Sequence, residues 1–153
     1  MRKLHKQDIF EILYGATLLG AGGGGSLSQG LDMLEQLDKN GENIELEMLD
    51  LAEIGDNEYA AMVAGLGSPV AMLDSDMPMF GPDAVYAFRA FQKAFISEGK
   101  DCKSLYSGEM GGGNTMLPLY AAWKCGLPII DTDGNGRAVP ELNTGLLPVH
   151  GVP

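Results

Sequence analysis

Four consecutive glycines, Gly22 to Gly25, stand directly behind a helical pattern, and three more, Gly111 to Gly113, stand close behind a strand pattern. A chain segment without Cβ atoms can turn at positive φ and lets another backbone or a ligand come close. The segment Gly20-Ala21-Gly22-Gly23-Gly24-Gly25 matches G-x-G-x-x-G as a string. A dinucleotide fingerprint needs a strand before it, however, and here a helix precedes it. Two readings stay open for this run: a flexible turn between helices, or a loop whose bare backbone approaches a ligand or another chain segment.

The helix before it runs from Asp8 to Leu19, with Ile9, Ile12, Leu13, Ala16 and Leu19 at helical spacing. Asp8 followed by Glu11 has the form of a capping box, which places Asp8 at the amino-terminal cap. Ser28 is expected to cap a second helix carrying Leu31, Leu34 and Leu37, closed by Asn40-Gly41. Ile44 to Met48 alternates apolar and acidic residues, the pattern of a strand with one wet face. Tyr59 to Leu66 is more continuously apolar and predicts a strand buried on both faces, ended by Gly67-Ser68-Pro69. Pro82 suits the first turn of a helix that runs through Val85, Phe88, Phe91 and Phe95 to Gly99. The three phenylalanines, with Met62, Met72, Met77 and Met79, read as packing residues. Gly65 to Pro69 is not a nucleophile elbow, because Pro69 has no amide to offer an oxyanion.

Ser104 to Ser107 predicts a strand, Leu119, Ala122 and Trp123 a helix that stops at Gly126, and Leu127 to Ile130 another strand. Short connections make this a parallel, right-handed strand–helix–strand unit. The expected fold is α/β: one domain over residues 1–153, a three-layer sheet with helices on both faces. The tail from Val139, with Pro140, Pro148 and Pro153, suggests no element.

Charge and rare residues exclude several functions. Lys and Arg total 10 against 21 Asp and Glu, a net charge of −11, which argues against a nucleic-acid or anionic-membrane partner. No apolar run approaches the roughly 20 residues of a membrane helix. The basic start is followed by Asp8 and Glu11, unlike a secretory leader, so a cytoplasmic location is expected. His5 and His150 are the two histidines, too few for a multi-histidine zinc site. Cys102 and Cys125 share no metal-type or redox-type spacing.

Gly108-Glu109-Met110-Gly111-Gly112-Gly113-Asn114 lies between the carboxyl end of a strand and the amino end of a helix, where open α/β sheets bind ligands. Amides of Gly111, Gly112, Gly113 and Asn114 could face an anion there, aided by the helix amino terminus, with Asn114 as candidate cap. No Lys-Ser or Lys-Thr follows, so this is not a nucleotide triphosphate loop. Asp131 to Leu142 follows the next strand and should share that sheet edge. Asp131, Asp133 and Glu141 supply carboxylates for acid–base work, and Asp131 and Asp133 also for a divalent metal. Arg137 can fix a substrate anion or carbonyl. Asp131-x-Asp133-x-Asn135-Gly136 begins like a calcium loop but lacks the remaining spacing.

Three segments together carry a family resemblance: Gly22-Gly23-Gly24, Gly108 to Asn114, and Asp131-x-Asp133-Gly134-x-Gly136-Arg137-Ala138-x-Pro140-Glu141-Leu142. They resemble the DUF917 family, also called S-methyl-thiohydantoin desulfurase or hydantoin utilisation protein. The resemblance covers the family's amino-terminal portion and implies a β-rich second domain expected in cis, so this chain reads as a fragment, truncated or split. It implies hydrolysis of an S-methyl-thiohydantoin or hydantoin-like cyclic ureide. Water would attack the ring carbon bearing sulfur and methanethiol would leave. Asp131 and Asp133 would act as base or metal ligands, and Glu141 as acid or base. Arg137, Gly23, Gly24 and the amides of Gly111 to Asn114 would hold substrate. An inactive isolated fragment and a homo-oligomer are expected. The alternative is a non-catalytic binding or assembly module beside a hydantoinase/oxoprolinase-type enzyme.

Overall fold

The computed structural model describes residues 1–67 and 81–152. Ser68, Pro69, Met72, Met77, Met79 and Pro153, each given a role in the sequence reading, lie outside the described residues. The strands are β1 (Arg2–His5), β2 (Glu45–Leu49), β3 (Tyr59–Val63), β4 (Cys102–Ser107) and β5 (Ile129–Asp133). The α-helices are α1 (Lys6–Gly20), α2 (Leu27–Lys39), α3 (Gly81–Ser97), α4 (Gly112–Cys125) and α5 (Leu146–Val149). Short 3-10 turns occupy Leu51–Glu53 and Leu142–Thr144, so the proline-rich tail does contain local structure.

The sheet order is β1-β2-β5-β4-β3. β1 pairs antiparallel with β2, and all other pairs are parallel. The α/β class and the parallel β4–α4–β5 unit are present. The expected helices on both faces are not. α4 touches α1, α2 and α3, so the four long helices form one layer. Strands β3, β4 and β5 lie side by side in sequence order, and two like-handed crossovers stepping the same way place α3 and α4 on the same face.

The core lies between that layer and the sheet: Leu4, Ile9, Leu13, Leu105 and Met116 are fully buried. Leu4 comes from β1, a four-residue strand too short to show a period in the sequence. At the start of α1 the cap is His5. Asp8 is the third helical residue, and its carboxylate accepts the His5 amide at 2.9 Å. Ser26, not Ser28, caps α2, because Gln29 stands three residues on and closes a reciprocal box. The strand expected to be buried on both faces is the sheet edge, with Tyr59 46% and Met62 42% exposed. Phe88 is buried and Phe95 packs edge-on against Tyr59, whereas Phe91 is half exposed.

Candidate functional site at the carboxyl rim of the sheet

The two glycine runs meet backbone to backbone. The Gly112 amide donates to Gly25 O at 3.1 Å and the Asn114 amide to Gly24 O at 2.8 Å. A Cβ on Gly24 would overlap Met110 O, and one on Gly111 would overlap the Gly24 backbone. Gly24 also holds φ +69°, a conformation that favours glycine. Gly30 of α2 extends the same contact, since a Cβ there would overlap Gly112 O. The first glycine run is therefore a socket for the start of α4, which decides between its two readings. The cap of α4 is Gly111, one turn earlier than the expected Asn114.

That socket occupies donors that the sequence reading assigns to a ligand. The amides of Gly112 and Asn114 are bonded to the socket, and the Gly111 amide donates to Thr115 Oγ1 at 3.3 Å. Gly23 packs on the aspartate segment instead: a Cβ on it would lie 2.6 Å from that of Ala138.

Asn114, freed from capping, points its buried side chain at the end of β3. Its Oδ1 accepts the Gly65 amide at 2.8 Å, and its Nδ2 donates to Gly65 O at 3.2 Å. The same Nδ2 donates to Glu109 Oε1 at 2.6 Å, while Glu109 Oε2 accepts the Val139 amide at 2.7 Å. Pro118 lacks the N–H that would bond Asn114 O, and the Ser107 hydroxyl lies 3.4 Å from that carbonyl.

The segment after β4 and the segment after β5 are neighbours, as parallel strands require. The Gly134 amide donates to Ser107 O at 3.1 Å and the Met110 amide to Arg137 O at 3.3 Å. Asn135 Nδ2 donates to Gly108 O at 2.8 Å. Asp131 and Asp133 belong to the end of β5 itself. Asp133 Oδ1 accepts the Asn135 amide at 2.6 Å and also the Gly136 amide, closing an Asx turn. Asp131, Arg137 and Glu141 are exposed, and among the described residues their side chains have no hydrogen-bond or ion-pair partner. No three His, Cys, Asp or Glu side chains among the described residues converge as a metal-binding group. Asp133 Oδ1 is held by two amides, while Asp133 Oδ2 and the Asp131 carboxylate accept no hydrogen bond among the described residues.

Residues 7–153 match the family described as S-Me-THD-like, N-terminal domain. The chain belongs to that family. An X-ray crystal structure of a protein from Chromobacterium violaceum superposes with a TM-score of 0.82 at 29% identity. It covers all of this chain, and the chain spans 40% of that protein. No curated protein gives a significant match. This S-Me-THD-like domain has one surface cavity away from the rim and one along the edge strand that reaches Ala64, close to Gly108. One, of about 330 Å³, is lined by Lys3, Glu45, Glu47 and Trp123; the other, of about 360 Å³, lies between β3 and α3. Among the described residues no helix is long and apolar enough to cross a membrane.

Sequence reasoning assigned no role to Glu109 or Gly65. Glu109 did leave a signal, as the one charged residue in the loop from Gly108 to Asn114. Gly65 left none, because its partner Asn114 is 49 residues away.

Proposed function

We propose that this S-Me-THD-like domain supplies the ring-recognition rim of a hydrolase acting on S-methyl-thiohydantoin or hydantoin-like cyclic ureides. The observation that carries the reading is Arg137: its guanidinium is exposed and unpaired among the described residues, in one short segment with Asp131, Asp133 and Glu141. A cyclic ureide alternates C=O acceptors with N–H donors. Arg137 can donate two parallel hydrogen bonds to the carbonyl side, and Asp131 can accept from a ring N–H. Negative charge developing on the ring during attack by water falls to Arg137, since the amides of Gly111, Gly112 and Asn114 are engaged. Asp131, unencumbered, is the candidate base, and Glu141 the candidate proton donor to the departing methanethiol.

One observation favours a second reading, a binding or assembly module beside a hydantoinase/oxoprolinase-type enzyme: the cavity lined by Lys3, Glu45, Glu47 and Trp123 lies away from this rim. Calorimetric titration of the chain with S-methyl-thiohydantoin and with hydantoin separates the two. Saturable binding that Arg137→Ala weakens at least tenfold supports ring recognition. Absence of binding to both compounds, or binding indifferent to Arg137→Ala, overturns it in favour of the module.

A further inference from the structure

We infer that Glu109 is a positioning residue: as a carboxylate, and only as one, it holds the Asp131–Glu141 segment against the glycine loop. Both of its oxygens face groups that can only donate. Oε1 takes the side-chain amide N–H of Asn114 at 2.6 Å and Oε2 takes the backbone N–H of Val139 at 2.7 Å. An ionised carboxylate accepts at both oxygens and offers no hydrogen, so it satisfies both donors. A carboxamide of the same shape has one accepting atom and one donating atom, and would turn an N–H toward an N–H.

The placement of Glu109 gives these bonds reach. Val139 is two residues past Arg137, and the Arg137 carbonyl is itself tied to the Met110 amide at 3.3 Å. Asn114 in turn grips Gly65 at the end of β3 through both halves of its amide. Glu109 and Asn114 together thus link the ends of β3, β4 and β5, and Arg137 is tied at its own carbonyl two residues before the Val139 tether. Glu109 itself is anchored from behind, because the Ser107 hydroxyl donates to its carbonyl at 2.7 Å. Charge-assisted bonds of this kind exceed neutral ones in strength, which suits a latch on an otherwise irregular segment.

The latch lies on the rim on which the proposed function rests, but reading it needs no substrate. Amide hydrogen exchange of the intact chain reports on it directly. In Glu109→Gln, exchange at Val139 is expected to rise about tenfold, the factor that corresponds to about 1.4 kcal/mol. Amides of β4 and β5 should stay at wild-type protection. The double variant Glu109→Gln with Asn114→Asp moves the charge across the pair. The carboxamide introduced at position 109 then donates to the carboxylate introduced at position 114 and accepts from Val139. Protection at Val139 is therefore expected to return, while the bond to Gly65 O is lost. Non-specific loss of packing at position 109 would not give that rescue. Unchanged exchange at Val139 in the single variant, or no recovery in the double variant, overturns the inference. Titration of both variants with S-methyl-thiohydantoin adds an independent reading: restored exchange without any binding leaves the latch standing and removes the proposed substrate.

Discussion

Gly24 and Gly111 touch through their backbones, and neither leaves room for a methyl group on the other. Gly24, Gly25, Gly111 and Gly112 thus serve to bring the α1–α2 turn against the start of α4.

Substitution at that contact should separate crowding from backbone strain. Gly111→Ala and Gly24→Ala each force a Cβ into backbone atoms, and each is expected to destabilise the fold by about 3 kcal/mol or more, or to abolish it. Gly22→Ala is the control, since nothing lies within 4 Å of its Cβ position and only its φ of +99° is unfavourable. Its cost should be about 1 kcal/mol. Urea unfolding of the three variants checks the order.

The opposite sign is expected at Gly15. It lies inside α1, is exposed, and has open space around its Cβ position. Gly15→Ala should stabilise by about 0.5–1 kcal/mol, because alanine removes unfolded-state freedom and favours the helix. A lowered urea midpoint would contradict this.

Much of this architecture is legible in the sequence. Helical spacing marks α1, the Gly-Pro start marks α3, and the parallel pairing of β4 and β5 places Gly108–Asn114 beside Asp131–Glu141. Information that depends on distant partners is not legible. The amides of Gly112 and Asn114 look free because Gly24 and Gly25 are remote in sequence, and β3 looks central because its apolar run reveals nothing of strand order.

Arg137→Ala should leave stability within about 0.5 kcal/mol of the parent, since its side chain is exposed and unpaired among the described residues. A large loss of stability would show a structural role and remove the main support for ring recognition. Melting in the absence of ligand is the measurement.

Burial raises the Tyr106 phenol above its ordinary value, and burial likewise raises Tyr120 despite the opposing charge of Lys124. A group whose folded value exceeds its unfolded one contributes stability that is complete below the unfolded value of about 10 and is lost as pH rises through the folded value. Absorbance at the phenolate band should therefore show Tyr106 and Tyr120 ionising only above the unfolded value of about 10, together with loss of ellipticity. Ionisation of Tyr106 and Tyr120 at or below that value with the fold intact would contradict it.

Thiol labelling should also be ordered. Cys125 is partly exposed, whereas Cys102 is 1% exposed and its thiol is pushed up by burial. Iodoacetamide is expected to modify Cys125 first and Cys102 only on opening of the fold. Equal rates in the native protein would contradict the placement of β4 in the core.

The glycine socket has a consequence for synthesis. The turn that carries Gly24 and Gly25 leaves the ribosome early, yet the amides it receives belong to Gly112 and Asn114. β2 waits similarly, since Met48 and Leu49 pair with Ile129 and Ile130. The α1–α2 turn and β2 must therefore stay unlocked until residues 112–130 have been synthesised, a delay that such non-local pairing imposes on folding.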